Sequence, residues 1–374
     1  MAHRRVRSSR APRLAEKPLA ASVIAFMNWG AKAITIVGGG LAGLTLGIGL
    51  RQRGVSTVVI EAGSYPRHRV CGEFISGRGL AVLDGLGLRD RLLEAGARPA
   101  RSVRFFTPRR ASPLCRLPQP ALALSRYRLD ALLAAEFTRA GGALRTQTRW
   151  TTPVFGPGVV RATGRRPRPV EGGRRWFGLR VHARHVSLTA DLEMHLTPQG
   201  YVGLCQLAGE VVNVCGLFWA RPPRAHPTPA SPHWLRGEPG SPLHQRLEEA
   251  EFLPDSFRSV AGLSLRPRYA REREEVCVGD ALTMIPPVTG NGMSLAFESA
   301  ALAAPSLARF TTGALDWEGV RRQTAENCDT ALARRLAWAW WLQRALSHPS
   351  LAALVATLVP RVPLLWPVLF ARTR

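Results

Sequence analysis

Three glycines, Gly38, Gly40 and Gly43, stand at the spacing Gly-x-Gly-x-x-Gly, and an acid, Glu61, follows 23 residues after the first of them. Glycines so placed suit a pyrophosphate. Gly38 permits a tight turn, Gly40 lets the backbone approach an anion, and Gly43 lets a helix pack closely on the preceding strand. Leu41 and Ala42 lie inside the turn and open that helix, whose first N–H groups have no partner of their own and face the anion. A carboxylate at Glu61 accepts hydrogen bonds from ribose hydroxyls and disfavours a 2′-phosphate. These residues therefore read as a dinucleotide site.

A second set lies far away in the chain. Val278-Gly279-Asp280-Ala281 is followed by Pro286-Pro287-Val288-Thr289-Gly290-Asn291-Gly292-Met293. A strand ending in Gly279-Asp280 can set the aspartate against a polyol such as the ribityl chain of a flavin. Two prolines followed by Gly-x-Gly make a rigid turn with outward N–H groups that opens another helix. The positive end of such a helix suits the charge carried by N1 and the C2 carbonyl of a reduced flavin ring.

These residues need particular elements behind them. The run 33–37 reads as a strand, 41–53 as a helix and 55–60 as a second strand, a β-turn-α-β unit. Helices are predicted over 80–95, 127–140, 243–252, 292–310 and 317–346, and extended segments over 102–106 and 114–124. From 177 to 219 the apolar period changes to two, the pattern of an antiparallel sheet. Residues 221–240 are proline-rich and read as a loop, and 275–278 as a short strand running into Gly279-Asp280.

On these motifs the chain resembles the para-hydroxybenzoate hydroxylase-like flavoproteins. Gly279, Asp280, Ala281, Pro286, Pro287, Gly290 and Gly292 match the second fingerprint of that family without a gap, whereas Leu282, Thr283 and Ser294 depart from it. Arg69-x-Cys71-Gly72-Glu73 resembles the segment of the prenyl-reductase branch that passes the flavin ring. Ser125-Arg126-Tyr127-Arg128-Leu129-Asp130 resembles the helix start whose arginine supports the cofactor. The resemblance implies an α/β fold, with a Rossmann-type FAD-binding domain, an inserted antiparallel β-sheet substrate domain and a helical C-terminus. The expected division is 31–99, 125–169 and 263–345 for FAD, 100–124 and 170–262 for substrate, a basic extension over 1–30 and an apolar tail over 346–374. The chain is short between Leu144 and Val159, so a hairpin of the FAD domain is expected to be reduced or missing.

The expected cofactor is FAD. With one dinucleotide fingerprint in the chain, NAD(P)H is expected to visit as electron donor. The leading reading is a monooxygenase of an apolar polyketide, aromatic or lipid-like secondary metabolite. A geranylgeranyl reductase-like reductase of prenyl double bonds is the alternative, favoured by Cys71-Gly72-Glu73 and disfavoured by Gly200-Tyr201 where that branch carries an aromatic Tyr-x-Trp stretch. A non-catalytic prenyl-lipid binding protein on the same fold is a third reading. Halogenases of this group need a lysine near the reacting centre, and no lysine lies beyond Lys32. Glu73, His182 and His195 are the titratable candidates for acid–base work, although in flavin chemistry the cofactor carries the hard step.

The formal charge of +25 would ordinarily raise nucleic acid as a partner. The positive charge is nearly all arginine and is scattered along the chain, which excludes a designed phosphate-binding stripe. Cys71, Cys115, Cys205, Cys215, Cys277 and Cys328 contain no C-x-x-C pair, so neither a metal site nor a thioredoxin-like centre is expected, and a reducing cytoplasm fits them. The tail over 351–370 is apolar but cut by Pro360, Pro363 and Pro367, which makes a poor membrane-spanning helix. Packing on the core or lying peripherally in a membrane interface are its two readings.

Overall fold

The computed structural model describes residues 33–168, 170–221, 232–348, 351–352, 354 and 365–373. The basic extension, part of the 221–240 loop and the middle of the tail fall outside them.

Strand β1 (Ile34–Val37) is almost wholly buried and enters the glycine turn, from which helix α1 (Leu41–Arg51) leaves. Small residues on α1 set how close its neighbours come. A Cβ on Gly43 would run into the Gly38 carbonyl, and one on Gly47 would stand 2.7 Å from the Phe137 ring. Strand β2 (Thr57–Ile60) pairs parallel with β1 and delivers Glu61 at its end. A two-residue strand β3 (Phe74–Ile75) comes next. The single helix expected over 80–95 is two short ones, α2 (Arg78–Gly85) and α3 (Arg89–Glu94). Gly87, at φ +72°, turns the chain between them.

Strands β4 (Arg98–Phe106) and β5 (Cys115–Ala123) precede helix α4 (Arg126–Arg139), which Ser125 caps by accepting from the Arg128 N–H. Two three-residue strands follow, β6 (Ala143–Arg145) and β7 (Val159–Arg161), and residues 146–158 between them form no strand. Strands β6, β2, β1 and β7 lie side by side in that order as a parallel four-stranded sheet.

The alternating region folds into β8 (Arg175–Arg184), β9 (Leu192–Thr197), β10 (Gly200–Gln206) and β11 (Val212–Ala220). Helices α5 (His233–Arg236) and α6 (Pro242–Arg246) cover the back of this sheet, where Leu235, Leu243 and Leu247 are buried with Phe177, Val202 and Phe218. The helix expected over 243–252 stops at Arg246, because edge strand β12 (Glu251–Ala261) already pairs with β8. Pro254 falls where the β12–β8 register shifts, a place an edge strand tolerates it. The eight-stranded order is β12-β8-β11-β10-β9-β4-β5-β3. The sheet is antiparallel except for β4 beside β9, which run parallel because the chain joins them only after returning through the FAD-type unit.

The strand expected over 275–278 is a single bridge, Arg161 with Cys277, held by N–H···O bonds of 2.9 and 3.0 Å. That suffices to park Gly279-Asp280 beside β7. Helices α7 (Gly292–Thr311), α8 (Trp317–Leu346) and the C-terminal α9 (Leu365–Thr373) complete the chain. Helix α7 packs on α1, so Met293, Ala296, Phe297 and Ala300 share a core with Leu41, Ala42 and Leu44. Among the described residues no helix is long and apolar enough to cross a membrane, and no His/Cys/Asp/Glu group could hold a metal ion.

Candidate cofactor and substrate site

The glycine turn, the end of β2, the start of α4 and the Pro287–Gly292 turn converge on one cavity of about 900 Å³. Gly38, at φ +109°, makes the sharp exit from β1, and a Cβ there would collide with the Ala162 carbonyl. Gly40 differs. Its φ of −86° is open to any residue, and a Cβ on it would meet nothing within 4 Å. The space above Gly40 is thus cavity, and no side chain caps the helix N-terminus beneath it. At the second turn Gly290 is left-handed at φ +67°, and a Cβ on Gly292 would likewise meet nothing. Two uncapped helix N-termini therefore open on the same space, an arrangement suited to negative charge.

Glu61 is held in place by its own backbone surroundings. Oε2 accepts from the Gly39 N–H at 2.8 Å, and Oε1 accepts from the Gly63 N–H at 2.8 Å and Arg67 Nη1 at 2.5 Å. Burial pushes its carboxyl up, but the Arg67 and Gly63 hydrogen bonds outweigh this and hold it at about 2. Two donors on Oε1 and one on Oε2 leave Oε2 with acceptor capacity for one further hydroxyl. Arg126 grips the fully buried Asp130 with both ends of its guanidinium, at 2.6 and 3.0 Å.

Asp280 has no hydrogen-bond donor among the described residues, and its open side faces the cavity. Burial pushes its carboxyl up to about 6, with Arg126 and Arg165 opposing only in part. An unmatched carboxylate is what a chain of hydroxyls would satisfy. Gly40, Gly292, Glu61 and Asp280 thus fit phosphate, flavin ring, ribose and polyol, the parts of FAD.

Leu41, Ala42, Arg69, Cys71, Gly72, Glu73, Gly279, Pro287, Gly290 and Met293 line the same cavity. Gly43 and Asn291, grouped with these in the sequence motifs, do not line it. Gly43 packs against Gly38, and the buried Asn291 donates from Nδ2 to the Thr373 carbonyl in α9.

The three acid–base candidates separate. Glu73 is fully buried at φ +58°, with Oε1 accepting from the Arg126 N–H at 2.8 Å and Arg180 Nη2 at 2.6 Å, and Oε2 from His182 Nε2 at 2.7 Å. Burial opposes ionisation of Glu73, yet the His182 hydrogen bond and the Arg180 charge hold it below the usual carboxylate range. His182 stands behind Glu73 and does not line the cavity. His195 is on the opposite face of β9, stacked on Phe106 at 4.3 Å and paired with Glu193 at 3.0 Å, beside a separate pocket of about 270 Å³. The structure therefore does not bring His195 to Glu73.

Sequence reasoning missed Arg180 and His68. Arg180 is fully buried and donates to Asn213 Oδ1 at 2.8 Å, the Ser256 carbonyl at 3.0 Å and His68 Nδ1 at 3.0 Å. Asn213 in turn donates to the Cys71 carbonyl at 3.0 Å, fixing the loop that passes the cavity. The available signal was an arginine at an inward position of an otherwise apolar strand. His68 lines the cavity, and burial together with the Arg180 charge lowers it to about 4, so it is neutral at pH 7.

Residues 31–174 match the family model described as FAD binding domain. The chain therefore carries an FAD-binding domain over residues 31–174. Over 85 residues it is 42% identical to 3-amino-4-hydroxybenzoate 2-monooxygenase of Streptomyces cremeus, a match covering 23% of this chain. The match spans only 21% of that curated relative. A likeness of fold to solved structures extends through the rest of the chain. The flavin-dependent brominase Bmp2 superposes with a TM-score of 0.68 at 18% identity, over 87% of this chain and 92% of that one. The halogenase PltM in complex with phloroglucinol and FAD gives 0.67 at 15% identity, over 86% and 78%.

Proposed function

We propose that this chain is an NAD(P)H-dependent FAD monooxygenase of an apolar aromatic, polyketide or lipid-like substrate. The observation that carries the reading is the two-part wall of the cavity. Beyond the residues that suit FAD, the same space runs between Val103, Phe105, Met194, Leu217, Leu342 and Phe370. FAD bound there would supply the electron storage and oxygen activation that no side chain offers. The chain's own residues bind and enclose. Glu61 would hold a ribose hydroxyl, the α1 N-terminus the phosphates and Asp280 the polyol, while the apolar wall excludes water from the substrate end. His68, neutral and with Nδ1 taken by Arg180, keeps Nε2–H as a donor.

The superposed brominase and halogenase share the fold, but no lysine stands anywhere in residues 33–374, which favours oxygenation over halogenation. The Cys71-Gly72-Glu73 segment on the cavity wall supports the prenyl-reductase alternative. Exposed Trp341, Leu354, Leu365 and Val368 support a peripheral contact of this end of the molecule with a lipid surface.

Turnover of candidate apolar phenols with NAD(P)H, with and without oxygen and with bromide present, separates these readings by product mass. The expected product gains one oxygen atom and forms only aerobically. A product gaining two hydrogens without oxygen, or one gaining bromine, would overturn the proposal.

A further inference from the structure

Helix α9 lies outside every motif so far discussed, yet its side chains alternate sharply in what they meet. Trp366, Leu369, Phe370 and Thr373, spaced i, i+3, i+4 and i+7, all line the large cavity, whereas Leu365 and Val368 are 44% and 50% exposed. The inward stripe is pinned at both ends. Trp366 Nε1 donates to the Arg116 carbonyl of β5 at 2.8 Å, and its indole meets Phe105 edge-on at 5.4 Å. At the other end the Thr373 carbonyl accepts from Asn291, the residue between Gly290 and Gly292 of the Pro287–Gly292 turn. Between these pins Phe370 is 5% exposed, packed with Val103, Leu117 and Cys205. The helix therefore spans from the substrate sheet to the cofactor turn and closes the apolar part of the cavity with two aromatic rings.

We infer that α9 is the wall that limits how long an apolar substrate the cavity accepts, with Leu369 and Phe370 as specificity-determining residues. This rests on the reading of the apolar end as the substrate chamber. The stripe offers no charge to the cavity, so the group it meets is an uncharged hydrocarbon chain or ring. Each methylene that gains a place in such a chamber tightens binding about fourfold, and the gain ends where the chain reaches the wall.

The test uses the full-length, FAD-loaded protein and a series of 4-n-alkylphenols from butyl to decyl, titrated by the change they cause in flavin absorbance. In the natural sequence affinity should climb about fourfold per methylene to a cut-off and then fall. Phe370→Ala should move the cut-off longer by about two carbons, and Leu369→Phe, which fills space instead of emptying it, should move it shorter. Val368→Ala, on the outward face, should leave it in place. An unchanged cut-off in flavin-loaded Phe370→Ala and Leu369→Phe would overturn the inference. Should Phe370→Ala fail to fold, Leu369→Phe alone decides. If the unmodified, yellow protein binds no alkylphenol, the apolar-chamber reading falls and this inference with it, whereas a colourless protein would instead contradict the FAD assignment.

Discussion

At one end of the cavity the work is done by backbone: two glycine turns, two uncapped helix N-termini, and a glutamate fixed by N–H groups at 2.8 Å. At the other end it is done by side chains that come from β4, β9, β11, α8 and α9, over 260 positions apart in sequence and supplying carbon surface. The cofactor end can change little, because a turn that needs Gly38 at φ +109° tolerates nothing else. The substrate end can be repacked while the fold persists, since cores accept volume-conserving exchange.

The seam between the ends should give the largest effect. Glu73 and Arg180 are both fully buried and 2.6 Å apart, and they join the cavity loop to β8. Glu73→Ala strands the arginine charge and should cost about 3–5 kcal/mol in urea unfolding of the apoprotein. The double variant Glu73→Ala/Arg180→Met should recover much of that loss. Equal destabilisation in the single and double variants would show that the pair does not join the two halves.

The same contrast explains what the sequence discloses. Backbone sites leave local signatures. Gly38, Gly40, Gly43, Glu61 and Gly290 are recognisable because the conformation or close approach each one serves restricts the residue, and the helices 292–311 and 317–346 are visible from long apolar periodicity. Side-chain sites leave none. Nothing local marks Arg180 as partner of Glu73, 107 residues away, or Trp366 as partner of the Arg116 carbonyl, 250 residues away. Misread elements share a cause as well. The 243–252 helix lost to an edge strand, and the 275–278 strand shrank to one bridge, because tertiary pairing overrode local pattern. His195 carries the composition of a catalytic residue, but strand alternation puts it on the far face of β9.

A smaller effect is expected at Asp280, where cofactor binding and stability should oppose each other. Its carboxyl is raised from 3.8 to about 6, so the folded chain holds that proton more tightly than the unfolded chain. Stability of the apoprotein should therefore fall as pH rises from 3.8 to about 6. Asp280→Asn should flatten that slope and leave the apoprotein more stable at pH 7, while weakening FAD by a hydrogen bond to the polyol. Urea midpoints at pH 4, 5, 6 and 7 check the first part and an FAD titration the second. An unchanged pH slope in the variant would mean that Asp280 is not the strained group.

The central claim is that the space above Gly40 is where the cofactor's phosphates lie. Gly40 is the place to ask, because φ of −86° and empty surroundings mean that the protein itself has no objection to a side chain there. In Gly40→Val the apoprotein should keep the circular dichroism and thermal midpoint of the natural sequence. Its FAD affinity, measured by fluorescence titration, should drop at least about 100-fold, ~2.7 kcal/mol. A Gly40→Val protein that folds equally well and retains full FAD occupancy would contradict the account.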